Sequence, residues 1–129
     1  MAKTDAQRAE YVPAPIPEDV RVAVDAALDK QATRVTVLDL REDQAFTDFF
    51  IICTGSNIRQ VQAIADAVEA RLKASEVRPA HVEGYDRAEW ILLDYFDFIV
   101  HVFTPDTREF YSLERLWGRA ARTEMAEAR

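Results

Sequence analysis

The sequence predicts an α/β domain, a mixed sheet of about five strands packed with helices. Three observations predict it. Apolar residues recur at helical spacing over two long stretches. Short runs rich in β-branched and aromatic residues lie between and after them. The two kinds of segment alternate along the chain rather than segregating into separate blocks. At 129 residues the chain is the size of one domain.

Residues 1–17 read as a flexible N-terminal extension. Pro13, Pro15 and Pro17 alternate with Ala and Ile, which favours an extended segment. Pro17 marks a helix entry. Glu18 and Asp19 follow in the first turn, where the helix dipole favours negative charge, and Val20, Val24, Ala27 and Leu28 fall on one face. The spacing predicts a helix over 18–32. Residues 35–40 read as a strand and 41–44 as a polar turn. The apolar run from Phe49 to Thr54 reads as a central strand covered on both faces.

Ser56 or Asn57 can cap the next helix. Val61, Ile64, Ala65, Val68 and Leu72 carry that helix to about Ala74. Residues 79–83 are a short strand candidate closed by Gly84. Trp90–Tyr95 and Phe98–Thr104 are strong strands with only Phe96 and Asp97 between them, so they form an antiparallel hairpin. Phe96 is an unusual residue for so tight a turn. Pro105 stops the last strand. Residues 108–117 read as a short helix capped by Ser112, and the Ala/Arg/Glu-rich residues 118–129 as a tail that extends this helix or frays. The single domain therefore spans 18–117, in the order α-β-β-α-β-β-β-α.

Composition and charge exclude several function classes. No apolar run approaches the ~20 residues of a membrane span, and Met1–Asp5 lacks the apolar stretch of a signal peptide. The net charge is −7, and residues 35–104 carry twelve acidic but six basic side chains. Binding to a nucleic-acid backbone needs a basic footprint, so direct nucleic-acid readout is not expected. An acidic body suits a basic protein partner, or simply solubility. With one cysteine, Cys53, and two histidines, the chain forms no internal disulfide and no closed Cys/His zinc site. A reducing cytoplasm is the expected setting.

Four groups of residues could carry chemistry or recognition. Gly55-Ser56 lies between a strand and a helix, where free N–H groups can meet phosphate. Nucleotidyltransferases use such a pair with two metal-binding carboxylates on the next strand, but His81-Val82-Glu83 supplies one. A plain helix cap is the competing reading. Asp39, Asp48, Asp94 and Asp97 could supply an acid/base pair, or be ordinary strand-end residues. His101 lies in an apolar strand, either as a hydrogen-bonded core residue or, facing out, as a recognition residue. Cys53 reads as a small core hydrophobe. Trp90, Tyr95, Phe110, Tyr111 and Trp117 are many large rings for a small domain, divided between core and docking surface.

Several strings then occur together and in order: Thr47-Asp48-Phe49-Phe50-Ile51-Ile52, Gly55-Ser56-Asn57-Ile58-Arg59-Gln60-Val61, Glu83-Gly84, Glu89 to Tyr95, Val100-His101-Val102-Phe103 and Arg108 to Trp117. Over about residues 19–117 the chain closely resembles the ribosomal silencing factor family, also called the Iojap family. The resemblance implies a nucleotidyltransferase-like topology without the catalytic carboxylates, hence no enzyme and no cofactor. It implies binding to the large ribosomal subunit through large-subunit ribosomal protein fourteen, a steric block to small-subunit joining, and a homodimer when free. The partner-binding residues it implies come from the Trp90–Tyr95 strand and nearby positions. Trp90, Asp94 and Tyr95 are the candidates there. Strand alternation separates Trp90, Leu92 and Asp94 from Ile91, Leu93 and Tyr95, so Trp90 and Asp94 are expected to touch the partner directly and Ile91 and Leu93 to be core. Arg108, Tyr111 and Glu114 are secondary candidates. Phe96 stands where family members commonly carry a glycine. The alternative function is a Mg²⁺-dependent nucleotide-binding or nucleotidyltransferase enzyme built on Gly55-Ser56 and Glu83.

Overall fold

In a computed structural model, residues 15–43, 45–117 and 120–125 are described. Most of the expected N-terminal extension and both ends of the expected tail lie outside the described residues. Helix α1 (Glu18–Asp29) follows Pro17 and keeps Glu18 and Asp19 in its first turn. It ends three residues before the expected limit. Gln31 takes a left-handed φ of 67°, its N–H bonds to the Leu28 carbonyl, and Ala32 N–H reaches back to Ala27. That is a Schellman closure with glutamine in the place usually held by glycine.

Strand β1 (Thr33–Asp39) and strand β2 (Phe49–Thr54) pair antiparallel, with a bulge between Thr33 and Thr36. Every residue of β2 is buried, as expected for a central strand. Helix α2 (Ile58–Lys73) is capped by Asn57, whose side chain accepts from Gln60 N–H at 2.8 Å. It closes as α1 does, through Glu76 at φ 63°, with Val77 N–H bonded to Leu72 and the Val77 side chain packed on the core. Strands β3 (His81–Glu83), β4 (Trp90–Asp94) and β5 (Phe98–Phe103) form an antiparallel meander. Strand β5 then pairs parallel with β2.

The C-terminal part departs from expectation. Two short helices, α3 (Pro105–Tyr111) and α4 (Leu113–Leu116), replace one. Pro105 both stops β5 and opens α3, since a proline at the first helical position loses no hydrogen bond. Ser112, at φ 45°, breaks the run and does not cap α4; its hydroxyl donates to the Glu109 carbonyl at 2.7 Å. Residues within the expected tail form strand β6 (Ala121–Glu124), antiparallel to β1. Among the described residues the sheet therefore has six strands, in the order β3-β4-β5-β2-β1-β6.

Each face of the sheet carries a core, and the alternation of side chains assigns each residue to one. Val37, Phe49, Ile51, Cys53, Ile91, Leu93, Val100 and Val102 pack under α1 and α2 in one core. Leu38, Leu40, Phe50, Ile52, Ile99 and Phe103 form a second, smaller core on the other face, against Trp90, Leu92, Leu113 and Trp117. Helix α2 leaves β2 toward the first face and α3 leaves β5 toward the second.

Candidate docking face

The second face is incompletely covered, and its open part is aromatic. Trp90, at the start of β4, is partly buried; its ring lies 4.7 Å from Tyr111 and 5.0 Å from Phe103, centroid to centroid. Tyr111 is 47 % exposed and sits edge-on to Phe110, 80 % exposed. Gly84 fixes the backbone beside Trp90. It has φ 79°, and a Cβ there would lie 2.1 Å from the Trp90 carbonyl oxygen, so any side chain would force β3 and β4 apart.

Beneath Trp90 lies His101. The Trp90 Nε1–H donates to His101 Nδ1 at 3.1 Å, which places the imidazole proton on Nε2. His101 is 3 % exposed, and burial alone pushes its pKa down to about 3. It is a neutral core residue at physiological pH. The core reading of His101 holds, and the outward recognition reading does not. Cys53 is fully buried and its thiol is pushed up to about 12, mainly by burial, so it is the inert core residue expected.

The six candidate contact residues divide by placement. Trp90, Asp94 and Glu114 are partly exposed and Tyr111 is exposed. Asp94 Oδ1 accepts from Phe96 N–H at 2.9 Å and so helps hold the hairpin turn. Two candidates are not surface residues. Tyr95 is buried under α2's face of the sheet and stacks on Phe98 at 4.9 Å. Arg108 is 2 % exposed. Its Nη1 donates to the Arg34 carbonyl at 2.6 Å and to Thr54 Oγ1 at 2.9 Å, and its Nη2 and Nε both bond to Glu114 Oε2. Burial raises the Glu114 pKa, but the Arg108 guanidinium outweighs it and leaves the carboxyl below its usual value. Arg108 thus fastens α3 and α4 to the ends of β1 and β2, and carries Tyr111 to its place on Trp90. As predicted, Ile91 and Leu93 are core, both fully buried.

The hairpin turn explains the oddity of Phe96. Its φ is 76°, and Asp97 N–H bonds back to the Tyr95 carbonyl at 2.9 Å. This is a γ-turn of the strained, positive-φ kind, a position suited to glycine. The turn is held from outside by Thr47 Oγ1, which donates to the Phe96 carbonyl at 2.7 Å. Phe96 itself is 77 % exposed.

The alternative nucleotide site is not assembled. Ser56 N–H and Oγ–H are both taken by Gln60 Oε1, at 2.7 and 2.8 Å. Gln60 Nε2 in turn donates to the carbonyls of Lys30 and Gln31, tying the two helices together. Glu83 lies on edge strand β3, three strand steps from β2, or about 14 Å across the sheet, where it pairs with His81 at 2.7 Å. Among the described residues no three His, Cys, Asp or Glu side chains gather as a metal site, and no helix is long and apolar enough to cross a membrane.

A family model described as ribosomal silencing factor during starvation matches residues 13–129. The chain belongs to the ribosomal silencing factor family. Ribosomal silencing factor RsfS of Halalkalibacterium halodurans is 40 % identical over 84 % of this chain and 92 % of its own length. The protein of the same name from Bacillus subtilis is 39 % identical over 78 % of this chain and 86 % of its own. A crystal structure of a Chromobacterium violaceum protein superposes with a TM-score of 0.78 at 32 % identity, covering 88 % of this chain and 95 % of that one. Family membership implies ribosome-associated repression of translation, and the α/β fold expected from the sequence is the fold of this silencing factor.

Proposed function

We propose that this silencing factor docks on the large ribosomal subunit, by contact with large-subunit ribosomal protein fourteen, and blocks small-subunit joining by occupying space. The observation that carries the reading is the Tyr111–Trp90 pair, a partly exposed aromatic contact with ring centroids 4.7 Å apart, on the face of β4 that also carries the acidic Asp94 at its far end. Large rings in such a setting are the residues that dominate binding energy at interfaces. The net charge of −7 suits a basic partner, since complementary charge speeds and orients encounter. Tight binding needs only about 800 Å² per partner, so a domain of this size can act by obstruction alone. No residue is assigned a catalytic role and no cofactor is required.

When free, the protein pairs with a second copy, and its setting is the cytoplasm. Exposed Phe110 and Leu116, on neighbouring short helices, supply apolar area for such a contact. The nucleotide-enzyme reading is disfavoured by Gln60, which already fills the Ser56 donors.

The test is direct binding of purified large-subunit ribosomal protein fourteen. Asp94→Asn keeps the acceptor for Phe96 N–H and removes the charge. A weaker, less salt-dependent association in that variant supports the reading. No association of the unaltered protein refutes it.

A further inference from the structure

On the second face, around Arg108, four arginines converge in a molecule of net charge −7. Arg34, Arg108, Arg115 and Arg122 line a cleft of about 240 Å³ together with Glu109 and Glu114. The fold brings them there from four elements. Arg34 stands at the bulge that opens β1, with φ 51°. Arg122 pairs across from Leu38 in the register of β6 against β1, so its side chain shares Leu38's face. Arg115 lies on α4 above it, and Arg108 forms the floor.

Two of the four arginines, Arg34 and Arg108, are already partnered. Glu114 is committed to Arg108. Glu109 meets Arg34 at 3.4 Å, with both side chains more than half exposed, a pair of little energetic weight. Glu124 is turned to the Thr36 hydroxyl at 2.9 Å. Arg115 and Arg122 have no carboxylate partner among the described residues, although both are exposed and face the same space. Two exposed cations without such a partner on one concave wall attract a counter-ion. Guanidinium groups at its rim match the oxygens of phosphate with paired hydrogen bonds.

Position supports the same conclusion. The cleft opens beside the carboxyl end of β2, where neighbouring parallel strands β2 and β5 send their helices to opposite faces. Such switch points are where open α/β sheets bind ligands. The volume is below the roughly 300–1,000 Å³ of sites for drug-sized molecules, so the occupant is small.

We propose that this cleft binds a small, multiply charged oxyanion of the phosphate or pyrophosphate class between Arg115 and Arg122. Bound there, the anion bridges α4 to β6. The site does not depend on the docking reading, and either can fail alone.

The experiment is calorimetric titration of the full chain with inorganic phosphate and with pyrophosphate, against sodium chloride at matched ionic strength. Binding is expected for pyrophosphate and more weakly for phosphate. The double variant Arg115→Gln/Arg122→Gln is expected to bind pyrophosphate at least about tenfold more weakly, a change of about 1.4 kcal/mol. Lys73→Gln, on the far helix, is expected to change nothing. Both arginines are exposed, so the variants fold. No heat beyond the chloride control overturns the proposal, as does binding that is indifferent to the two arginines. Binding of an RNA oligonucleotide without any response to pyrophosphate overturns it too.

Discussion

The indole of Trp90 donates its N–H to Nδ1 of His101 at 3.1 Å, and this bond joins the candidate docking face to the core beneath it. The imidazole is held neutral because burial pushes its pKa down to about 3. Trp90 is therefore both a surface ring and part of the second core. As a surface contact alone, Trp90→Ala would weaken binding and leave the fold intact. With His101 under it, that variant also exposes a buried polar group and removes contacts to Phe103 and Tyr111, so its binding defect includes a folding defect. Tyr111 and Asp94 are the cleaner probes.

Stability should depend on pH through His101. In the unfolded chain the imidazole takes up a proton near pH 6.5, while in the fold it does not until about pH 3. The unfolded state thus binds more protons between these values. The stabilisation is complete above pH 6.5 and falls as pH drops, by about 1.36 kcal/mol per unit. Glu114 and Asp39 have lowered pKa values, so the stability they add is present above their ordinary carboxyl range and is lost only as pH falls below it. Urea unfolding at pH 6.5 and pH 5 should therefore differ by about 1.6 kcal/mol. In His101→Gln, which is uncharged at both pH values, this slope should disappear.

Arg108 should behave as a buried node. Arg108→Met removes the partner of Glu114 and leaves the Thr54 hydroxyl and the Arg34 carbonyl short of a donor. Breaking such a pair from one side costs about 3–5 kcal/mol. Glu114 keeps some solvent access, its side chain being 17 % exposed, so the expected loss is at the lower end, near 3 kcal/mol. Chemical denaturation measures it.

Phe96→Gly should stabilise the fold. A non-glycine residue held at positive φ costs of order 1–3 kcal/mol, and glycine gives back about 0.5–1 kcal/mol through the unfolded chain. With Phe96 77 % exposed, little packing is lost. A gain of about 1 kcal/mol, or a Tm rise of roughly 4 °C, is expected in calorimetry.

The parts of the fold that were legible in the sequence carry strong local patterns. The continuous apolar run of β2 announced a strand covered on both sides, and the alternation in β4 correctly divided Trp90 from Ile91. What was hidden depends on distant residues. Lys30, Gln31 and Ala32 are ordinary helix formers, yet α1 stops at Asp29 because Gln31 turns left-handed and Gln60 binds the freed carbonyls. Residues 121–124 read Ala-Arg-Thr-Glu, with no apolar alternation, because β6 is an edge strand whose pairing with β1 comes from the backbone. Arg108 looked like a surface arginine beside acidic neighbours. Its burial is set by Thr54, 54 positions away, which no local pattern reveals.

The central claim is that the Tyr111–Trp90 step carries docking on the large subunit. The most direct measurement is gradient sedimentation of separated ribosomal subunits under joining conditions, with no added protein, with the unaltered protein and with Tyr111→Ala. The account predicts that the unaltered protein travels with the large subunit and the joined particle disappears. Loss of a dominant ring costs at least about 2 kcal/mol, or roughly 30-fold in affinity, so at limiting concentration Tyr111→Ala should stay at the top and joining should recover. Joining that proceeds normally beside the unaltered protein would contradict the account, and so would a Tyr111→Ala variant that blocks joining as well as the unaltered protein does.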